Sequence, residues 1–353
     1  MGNAKGRRTR FSSVLGVSIA VGVLLAVTAL AASASAAPLA RPTVLGTTHK
    51  SCGVGDDPFQ PGYDPVTKEM YVPNGGSGNI TVLRGTCTVA GTIKLPKGAV
   101  PIQAIFDPAN NYMFVTDDGL NQIYEISGLK VHATINNTVA GGVLTEPYGI
   151  AWAPPNGGVL VITNLHGIWN SVWVYLTPTG PFVQAAELAS HVTSAEGIAY
   201  DPADGDFWVT LDQNDSVIAT EASDFFVDSR IVPVGSDPSD VAYDSANSDV
   251  YVTNSDSSNV SVLTGGTGKV TVVGTISGFD DPNGITWDQA NLSMYVANFG
   301  NGKVYEVGGK SGLAILKRIS ISSTAFPFYI AYDESNDDLY VTQGLGDTVY
   351  VLT

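Results

Sequence analysis

The chain has 353 residues and a formal net charge of −16; only 14% of its residues are charged and 39 are glycine. This acidity argues against nucleic acid and anionic membranes as partners, because both are bound through clusters of Lys and Arg. Few charges with abundant Gly, Ser, Thr and Asn are typical of a turn-rich, all-β protein.

Residues 1–36 are predicted to be a signal peptide. Basic residues near the N-terminus are followed by an apolar run from Val14 to about Ala32, and small residues then alternate in a pattern that fits cleavage after Ala36 or Ala37. An uncleaved anchor is the alternative, since the run approaches the ~20 residues that span a bilayer. Cleavage would leave 13 basic and 33 acidic residues, a net charge of −20. We therefore predict a secreted or cell-surface protein, with no membrane contact beyond the export segment.

Cys52 and Cys87 are the only cysteines, and both lie after the predicted cleavage site. Thiols in an oxidising compartment more often pair than stay free. We expect a disulfide between them, provided that the fold brings them close enough.

A repeat of roughly 45 residues, the length of a propeller blade, follows the export segment seven times. Each copy starts with an apolar strand that ends in aspartate, and Ala153 replaces the aspartate in the third copy. The repeated residues are Asp64, Asp107, Asp201, Asp244, Asp288 and Asp333. A turn, a second strand, a polar loop and a third strand follow, and most copies have a fourth strand. This pattern predicts a single seven-bladed β-propeller of four-stranded antiparallel blades over residues 37–353.

The last copy ends at Thr353, directly after its third strand. Near the mature N-terminus, residues 42–48 resemble the fourth strand at 270–276. We expect residues 42–48 to complete the last blade, because such closure removes free strand edges.

These repeats resemble the YVTN-type β-propellers of archaeal and bacterial surface and secreted proteins. The tetrapeptide stands intact at Tyr251–Asn254, and degenerate forms begin at Tyr71, Phe114, Val161, Tyr295 and Tyr340. The resemblance implies the fold and an extracytoplasmic location, but no particular chemistry, because propellers carry many unrelated functions. The repeated Asn and Asp side chains are expected to be structural, since every blade has them.

Function is expected where the blades differ, at the loops that lead into the first strands. The predicted channel-mouth residues are Phe59, Gln103, Tyr148, Glu196, Asp240, Asn283 and Phe328. They form an aromatic and polar rim with two carboxylates. Glu196, Asp240 and Asn283 lie on consecutive copies and could hold a metal for a lactonase-like hydrolase or a lyase.

Other features are weaker pointers. Trp169 is a candidate recognition anchor in an aromatic insertion, and His166 or His191 could serve a lyase together with Glu196. No cofactor motif is present; the acidic turn at Asp212–Asp215 lacks the full pattern of a calcium loop, so a divalent cation such as calcium is a minor alternative. Sequons for N-glycosylation occur at Asn79, Asn136, Asn214, Asn259 and Asn291.

We interpret the chain as an extracellular binding or scaffold module for a protein, glycan or small molecule. An exported metal-dependent hydrolase or lyase is the alternative. Self-assembly in a surface layer is a third function class. The sequence favours the non-enzymatic interpretation and does not identify the ligand.

Overall fold

A computed structural model of the chain describes residues 49–353, apart from 137–143, 155–158, 165–170, 177–181, 188–193, 222–229, 266–269, 309–312 and residue 323. The predicted signal peptide and Trp169, His166 and His191 lie outside the described residues. Among the described residues, no helix is long and apolar enough to cross a membrane.

The described strands form four-stranded antiparallel sheets, so the predicted all-β propeller built from such blades is confirmed. The second strands are almost wholly buried in the blades where their side chains are described. β3 and β23, for example, are buried at all six positions, while the outer strand β5 is mostly exposed. Burial on both faces explains the apolar middle of the second strands, such as residues 70–72 and 294–296.

The first three blades, in chain order, have the following strands. Blade 1 contains β2 (Gly62–Asp64), β3 (Glu69–Asn74), β4 (Asn79–Arg84) and β5 (Thr88–Lys94). Blade 2 contains β6 (Pro101–Asp107), β7 (Tyr112–Asp117), β8 (Gln122–Ser127) and β9 (Lys130–Asn136). Blade 3 contains β10 (Pro147–Ala153), β11 (Val159–Asn164), β12 (Ser171–Leu176) and β13 (Phe182–Glu187).

The next three blades have the same order. Blade 4 contains β14 (Ala195–Asp201), β15 (Asp206–Leu211), β16 (Ser216–Glu221) and β17 (Arg230–Pro233). Blade 5 contains β18 (Pro238–Asp244), β19 (Asp249–Asn254), β20 (Asn259–Thr264) and β21 (Val272–Ser277). Blade 6 contains β22 (Pro282–Asp288), β23 (Ser293–Asn298), β24 (Lys303–Val307) and β25 (Ile315–Ser320). Short 3-10 turns occur at Asp212–Asn214 and Phe299–Asn301.

The remaining sheet combines both ends of the described chain. It contains β26 (Pro327–Asp333), β27 (Asp338–Gln343), β28 (Thr348–Leu352) and, as its outer strand, β1 (His49–Gly53). The described residues therefore contain seven sheets. The first strand of each sheet contacts the first strand of the next, and β26 contacts β2, so the circuit closes.

The prediction for the strand that closes the ring is wrong in its position. Residues 42–48 were expected there, but β1, His49–Gly53, pairs antiparallel with β28, with Cys52 opposite Val349. Cys52 is buried while the rest of β1 is exposed, so burial of this cysteine fixes the register. Sequence similarity between residues 42–48 and a fourth strand does not indicate which residue of the closing strand is buried.

A disulfide joins Cys52 to Cys87, with 5.3 Å between their Cα atoms. Cys52 lies on the outer strand of blade 7 and Cys87 follows the third strand of blade 1. The Tyr340 hydroxyl, also from blade 7, donates a hydrogen bond to the Gly85 carbonyl at 2.5 Å. Both interactions connect blades 7 and 1, where the ring is closed.

The repeated Asp and Asn residues are hydrogen-bonded within their own blades. Asp107 accepts from the Ala109 amide at 2.8 Å and from the Asn110 side chain at 2.7 Å, which fixes the turn after the first strand. Asn254 donates to the side chains of Asn259 at 2.8 Å and Ser261 at 3.0 Å, which ties the second strand to the third. Their structural role agrees with their presence in nearly every blade.

Candidate functional site

The position of the channel lining is set by threonines of the second strands. The Thr163 hydroxyl accepts a hydrogen bond from the Gly149 amide at 2.7 Å in its own blade and donates to the Glu196 carbonyl of the next blade at 2.9 Å. A bulge in the first strand at this point takes these groups out of the regular ladder. One hydroxyl thus satisfies a donor and an acceptor that the sheet leaves unpaired.

The same hydroxyl bridge recurs between neighbouring blades. Thr116 donates to the Tyr148 carbonyl at 2.7 Å, Thr210 to Ser239 at 3.4 Å, and Thr253 to Asn283 at 2.6 Å. We call Tyr148, Glu196, Ser239 and Asn283 the clamped half of the lining. These threonines were not predicted as site residues, although the third letter of the YVTN tetrapeptide marks them.

The other half of the lining is aromatic. Its residues are Phe59, Phe299, Phe326, Phe328 and Tyr329, and we call it the ring-packed half. Ring centroids lie 6.0 Å apart for Phe59 and Phe328, 5.8 Å for Phe299 and Phe328, and 5.4 Å for Phe299 and Phe326. These separations are those of favourable aromatic contacts.

A pair of tyrosines crosses the channel. The hydroxyl oxygens of Tyr148 in blade 3 and Tyr329 in blade 7 lie 2.8 Å apart. Tyr329 also packs on Phe59, with 6.1 Å between the ring centroids. The pair therefore connects the clamped half to the ring-packed half. Tyr329 was not predicted as a site residue, although other blades have glycine or a shorter polar residue at its position.

The predicted channel-mouth residues divide into two groups. Phe59, Tyr148, Glu196, Asn283 and Phe328 are partly exposed, whereas Gln103 and Asp240 are buried. Gln103 accepts a hydrogen bond from the Ile150 amide of the next blade at 3.0 Å, and Asp240 accepts from the Ile285 amide at 3.1 Å. The structure therefore gives Gln103 and Asp240 a connection between blades instead of the open position that the sequence suggested.

Asp240 is an unusual group for such a connection because it can carry a charge. Its second carboxylate oxygen accepts from the Val241 amide at 2.8 Å. Burial outweighs these two hydrogen bonds and raises the pKa of Asp240 to about 7. Gly197 lies directly against it: a Cβ there would be 2.8 Å from the Asp240 Cα atom, so only glycine fits.

Glu196 is the most perturbed carboxyl of the lining. Burial, followed by the negative charges of Asp212, Asp237 and Asp240, raises its pKa to about 8. Every charge that acts on Glu196 is negative. Its carboxyl group makes no hydrogen bond within the described part of the chain. It thus has neither a donor nor a counter-charge to stabilise its ionised form.

The residues described here contain no group of three or more His, Cys, Asp and Glu side chains arranged to hold a metal ion. The described histidines, His49 and His132, are not near the channel: His132 is exposed and stacks on Tyr112, and His49 lies on β1. Glu196, Asp240 and Asn283 were predicted as a metal-binding trio. Both carboxylate oxygens of Asp240 already accept hydrogen bonds from backbone amides, so the three side chains do not share one set of contacts.

The remaining predicted sites are the N-glycosylation sequons and the acidic turn at 212–215. The sequon residues Asn136 and Asn214 are exposed, whereas the side chains of Asn79, Asn259 and Asn291 donate hydrogen bonds inside the fold. The acidic turn at 212–215 is linked to the next blade, because Asp215 accepts from the Asp237 amide at 3.2 Å.

The chain matches no family model, and no curated protein matches its sequence. Solved structures do share its fold. A streptogramin B lyase is 14% identical with a TM-score of 0.70, and the match covers 87% of this chain and 98% of that one. A virginiamycin B lyase from Staphylococcus aureus is 15% identical with a TM-score of 0.72, covering 87% and 99%.

A hydrazine synthase from Kuenenia stuttgartiensis is 15% identical with a TM-score of 0.68, covering 84% of this chain and 96% of that one. Enzymes of different chemistry thus share this architecture. At such low identity the likeness shows the β-propeller fold alone. Membership of the YVTN-type family stays a prediction.

Proposed function

We propose that this protein is an exported binding module that takes a small organic cation into the mouth of its channel. The positive group would lie beside Glu196, and the apolar part would lie against the ring-packed half. The observation that carries this proposal is the Glu196 carboxyl at the channel mouth. The residue is only partly exposed, its carboxyl has no hydrogen-bond partner among the described residues, and every charge that acts on it is negative.

A bound cation would supply what Glu196 lacks. Transfer of a carboxylate from water into a protein is unfavourable unless the charge is paired. Asp212, Asp237 and Asp240 add to the negative potential, and none of the charges acting on Glu196 offsets it. A cation at this place would favour the ionised carboxyl and lower its pKa towards its usual value.

The ring-packed half suits the other part of such a ligand. In a ring of seven blades, blade 4 with Glu196 is opposite the boundary between blade 7, which carries Phe328, and blade 1, which carries Phe59. Aromatic faces attract cations by about 0.5–2 kcal/mol and also bury apolar groups. An acidic wall facing an aromatic wall thus favours an organic ammonium over a metal ion or an anion.

Isothermal titration calorimetry with benzyltrimethylammonium tests the proposal. We expect binding by the purified protein, weaker binding of tetramethylammonium, and none of benzyl alcohol. Because the probe keeps its charge at every pH and Glu196 must be ionised, affinity should rise about tenfold or more between about pH 6 and about pH 9. Glu196→Gln should weaken binding about tenfold or more and remove the pH dependence.

Glu334→Gln is the matched control, since Glu334 is an exposed carboxylate in the turn after the first strand of blade 7. It should leave affinity unchanged. Absence of binding, or equal affinities for the wild type and Glu196→Gln, would reject an organic cation as the ligand of this site.

Export is supported by the basic and apolar N-terminal sequence and by the disulfide, which is typical of oxidising compartments. The similarity of the repeats to YVTN-type surface proteins supports the same location. N-terminal sequencing of the protein from the culture medium and the cell fraction tests it. We expect a secreted or surface form beginning near Ala37; an intact N-terminus found only inside cells would contradict export.

A lyase is the second candidate, favoured by the two lyases among the structural neighbours and by the pKa of Glu196 near 8, which would let it donate a proton at neutral pH. One neighbouring structure is a catalytically inactive virginiamycin B lyase variant with quinupristin. Chromatographic assay of quinupristin with this protein decides the point. Turnover of quinupristin that is lost in Glu196→Gln would establish a lyase. If quinupristin stays unchanged, the binding module remains the proposed function.

A further inference from the structure

In blades 1, 2, 5 and 6 the turn between the first and second strands contains the same side-chain hydrogen bond. The residue three positions after the repeated aspartate donates to its carboxylate. Thr67 donates to Asp64 at 2.8 Å, Asn110 to Asp107 at 2.7 Å, Asn247 to Asp244 at 2.7 Å, and Asn291 to Asp288 at 2.6 Å. In these blades the buried carboxylate is satisfied by a neutral donor.

Blade 4 breaks this rule, because Asp204 stands where the other blades have a donor. Asp201 is fully buried, and one of its oxygens accepts from the Ala203 amide at 2.8 Å, as in the other blades. Its other oxygen, Oδ2, is buried without a hydrogen-bond partner, and so are both carboxylate oxygens of Asp204. Three carboxylate oxygens therefore converge. The donor that acts on Asp201 is the Tyr243 hydroxyl, which lies outside regular hydrogen-bond geometry.

The two carboxyl groups lie within hydrogen-bonding reach of each other. Burial and then the nearby Asp204 raise the pKa of Asp201 to about 6, and no positive side chain acts on Asp201. Two ionised carboxylates cannot hydrogen-bond to each other, so this pair needs either a bound cation or a shared proton.

A backbone carbonyl lies beside the pair. The Ser248 carbonyl oxygen, which accepts from the Gly265 amide at 2.8 Å, and Asp201 Oδ2 lie 2.6 and 2.7 Å from the position that a Cβ of residue 265 would take, so no side chain separates these two oxygens. Asp204 is partly exposed although its carboxylate oxygens are buried, so the pair lies just beneath the surface. This place is at the end of β14, whereas Glu196 of the channel mouth is at the start of the same strand.

We propose that Asp201 and Asp204 hold a calcium ion, with water and the Ser248 carbonyl completing its coordination. Carboxylate and carbonyl oxygens are the ligands that calcium prefers, and its flexible geometry accepts several waters. A site with two carboxylates belongs to the weak class of extracellular calcium sites, with Kd of about 0.1–1 mM. The ion connects the turn of blade 4 to blade 5 and does not depend on the ligand proposed for the channel mouth.

Thermal unfolding with calcium or a chelator tests this site. We expect about 5 mM calcium to raise Tm of the wild-type protein by about 2 °C, corresponding to a roughly tenfold larger folding constant. Asp204→Asn restores the donor of the other blades, so it should raise Tm in chelator and remove the calcium effect. Magnesium, which demands a tighter octahedral site, should have a smaller effect than calcium.

Terbium, a luminescent ion of calcium-like size, gives a second measurement. Tyr243 interacts with Asp201 and should sensitise terbium emission in the wild type. Asp204→Asn should abolish that emission, and Asp256→Asn, which removes an exposed carboxylate of blade 5, should not. Equal Tm in calcium and chelator for the wild type, with emission unaffected by Asp204→Asn, would overturn the proposal and leave a shared proton between the two acids.

Discussion

The two halves of the channel lining are held in place by different interactions. In the clamped half, threonine hydroxyls from one blade fix the backbone of the next, as Thr163 does for Glu196 at 2.9 Å. In the ring-packed half, Pro73 and Ala297 replace the threonine in blades 1 and 6, and Thr342 of blade 7 bonds to Tyr329 of its own blade. There the side chains pack on one another instead, as Phe299 and Phe328 do at 5.8 Å.

This difference separates the positioning of a side chain from its chemistry. A backbone clamp fixes where the strand begins without using the lining side chain, so Glu196 and Asn283 keep their polar groups for other contacts. Aromatic side chains that are positioned by packing on one another already have much of their surface buried in those contacts. We infer that the clamped half supplies selectivity for charge, and that the ring-packed half supplies shape and apolar contact.

The largest effect should come from the closure of the ring, which lies at the ring-packed half. Cys52→Ser with Cys87→Ser removes a cross-link spanning 35 residues. The loop-entropy relation gives a loss of about 4 kcal/mol in the free energy of unfolding. Chemical denaturation of the double variant measures it, and the oxidised and reduced wild-type protein serve as controls. A loss below about 1 kcal/mol would mean that strand pairing of β1 with β28 closes the ring alone.

The second effect tests the clamp itself. Thr163→Val keeps the shape of the buried side chain but leaves the Gly149 amide and the Glu196 carbonyl without their partner. We expect a loss of about 2 kcal/mol in the free energy of unfolding, the usual cost of unpaired buried polar groups. Thr88→Val, on an exposed outer strand, is the control and should change stability by less than about 0.5 kcal/mol. Equal effects of the two substitutions would show that the hydroxyl bridge does not hold the lining.

The hydroxyl bridge of Thr163 also shows how much of the fold can be predicted from the sequence. The repeat predicted the propeller, its four-stranded blades and the residues that begin each first strand, because hydrophobic alternation and turn residues are local signals. The hydroxyl bridge joins Thr163 to a carbonyl 33 residues later, and no local pattern encodes that contact. The motif marked the threonine, but its role required the bulge that the structure shows.

The same limit explains the errors at the site and at the closure. Position in the repeat suggested that Asp240 and Glu196 are equivalent channel acids, yet neighbouring residues of a strand point to opposite sides, and Asp240 reaches the adjacent blade. Tyr329 meets Tyr148 across the ring, 181 residues away in the chain. The closing strand was misplaced because its register depends on burial of Cys52 rather than on similarity to other fourth strands.

The third effect uses pH to distinguish the halves, since titratable carboxyls of the lining lie in the clamped half. The pKa of Glu196 is raised from its usual value of 4.5 to about 8 in the folded protein. Its contribution to stability is therefore full below about pH 4.5 and is lost as pH rises through about 8. Water in the channel screens this carboxyl. We therefore expect its contribution to the free energy of unfolding to fall by an amount on the order of 1–2 kcal/mol over this pH range.

Many carboxylates titrate in this acidic protein, so the measured quantity is the difference in the free energy of unfolding between the wild type and Glu196→Gln. That difference should shift in favour of the variant as pH rises from about 5 to about 9. Phe328→Leu, in the ring-packed half, should show a difference independent of pH. A pH-independent difference for Glu196→Gln would mean that the carboxyl is well solvated.

The smallest effect should come from the hydrogen bond that joins the two halves. Tyr148→Phe removes one hydroxyl of the pair and keeps both rings, so we expect a loss of about 1 kcal/mol in the free energy of unfolding. Tyr112→Phe is a control outside the channel, because the Tyr112 hydroxyl only approaches the exposed His132 at 3.4 Å.

The same two variants can be compared for their affinity for the ligand. If the pair holds the acidic and aromatic walls at a fixed separation, Tyr148→Phe should weaken binding of benzyltrimethylammonium by more than its effect on stability, whereas Tyr112→Phe should change neither. Unchanged affinity in Tyr148→Phe would show that each half binds its part of the ligand without the other.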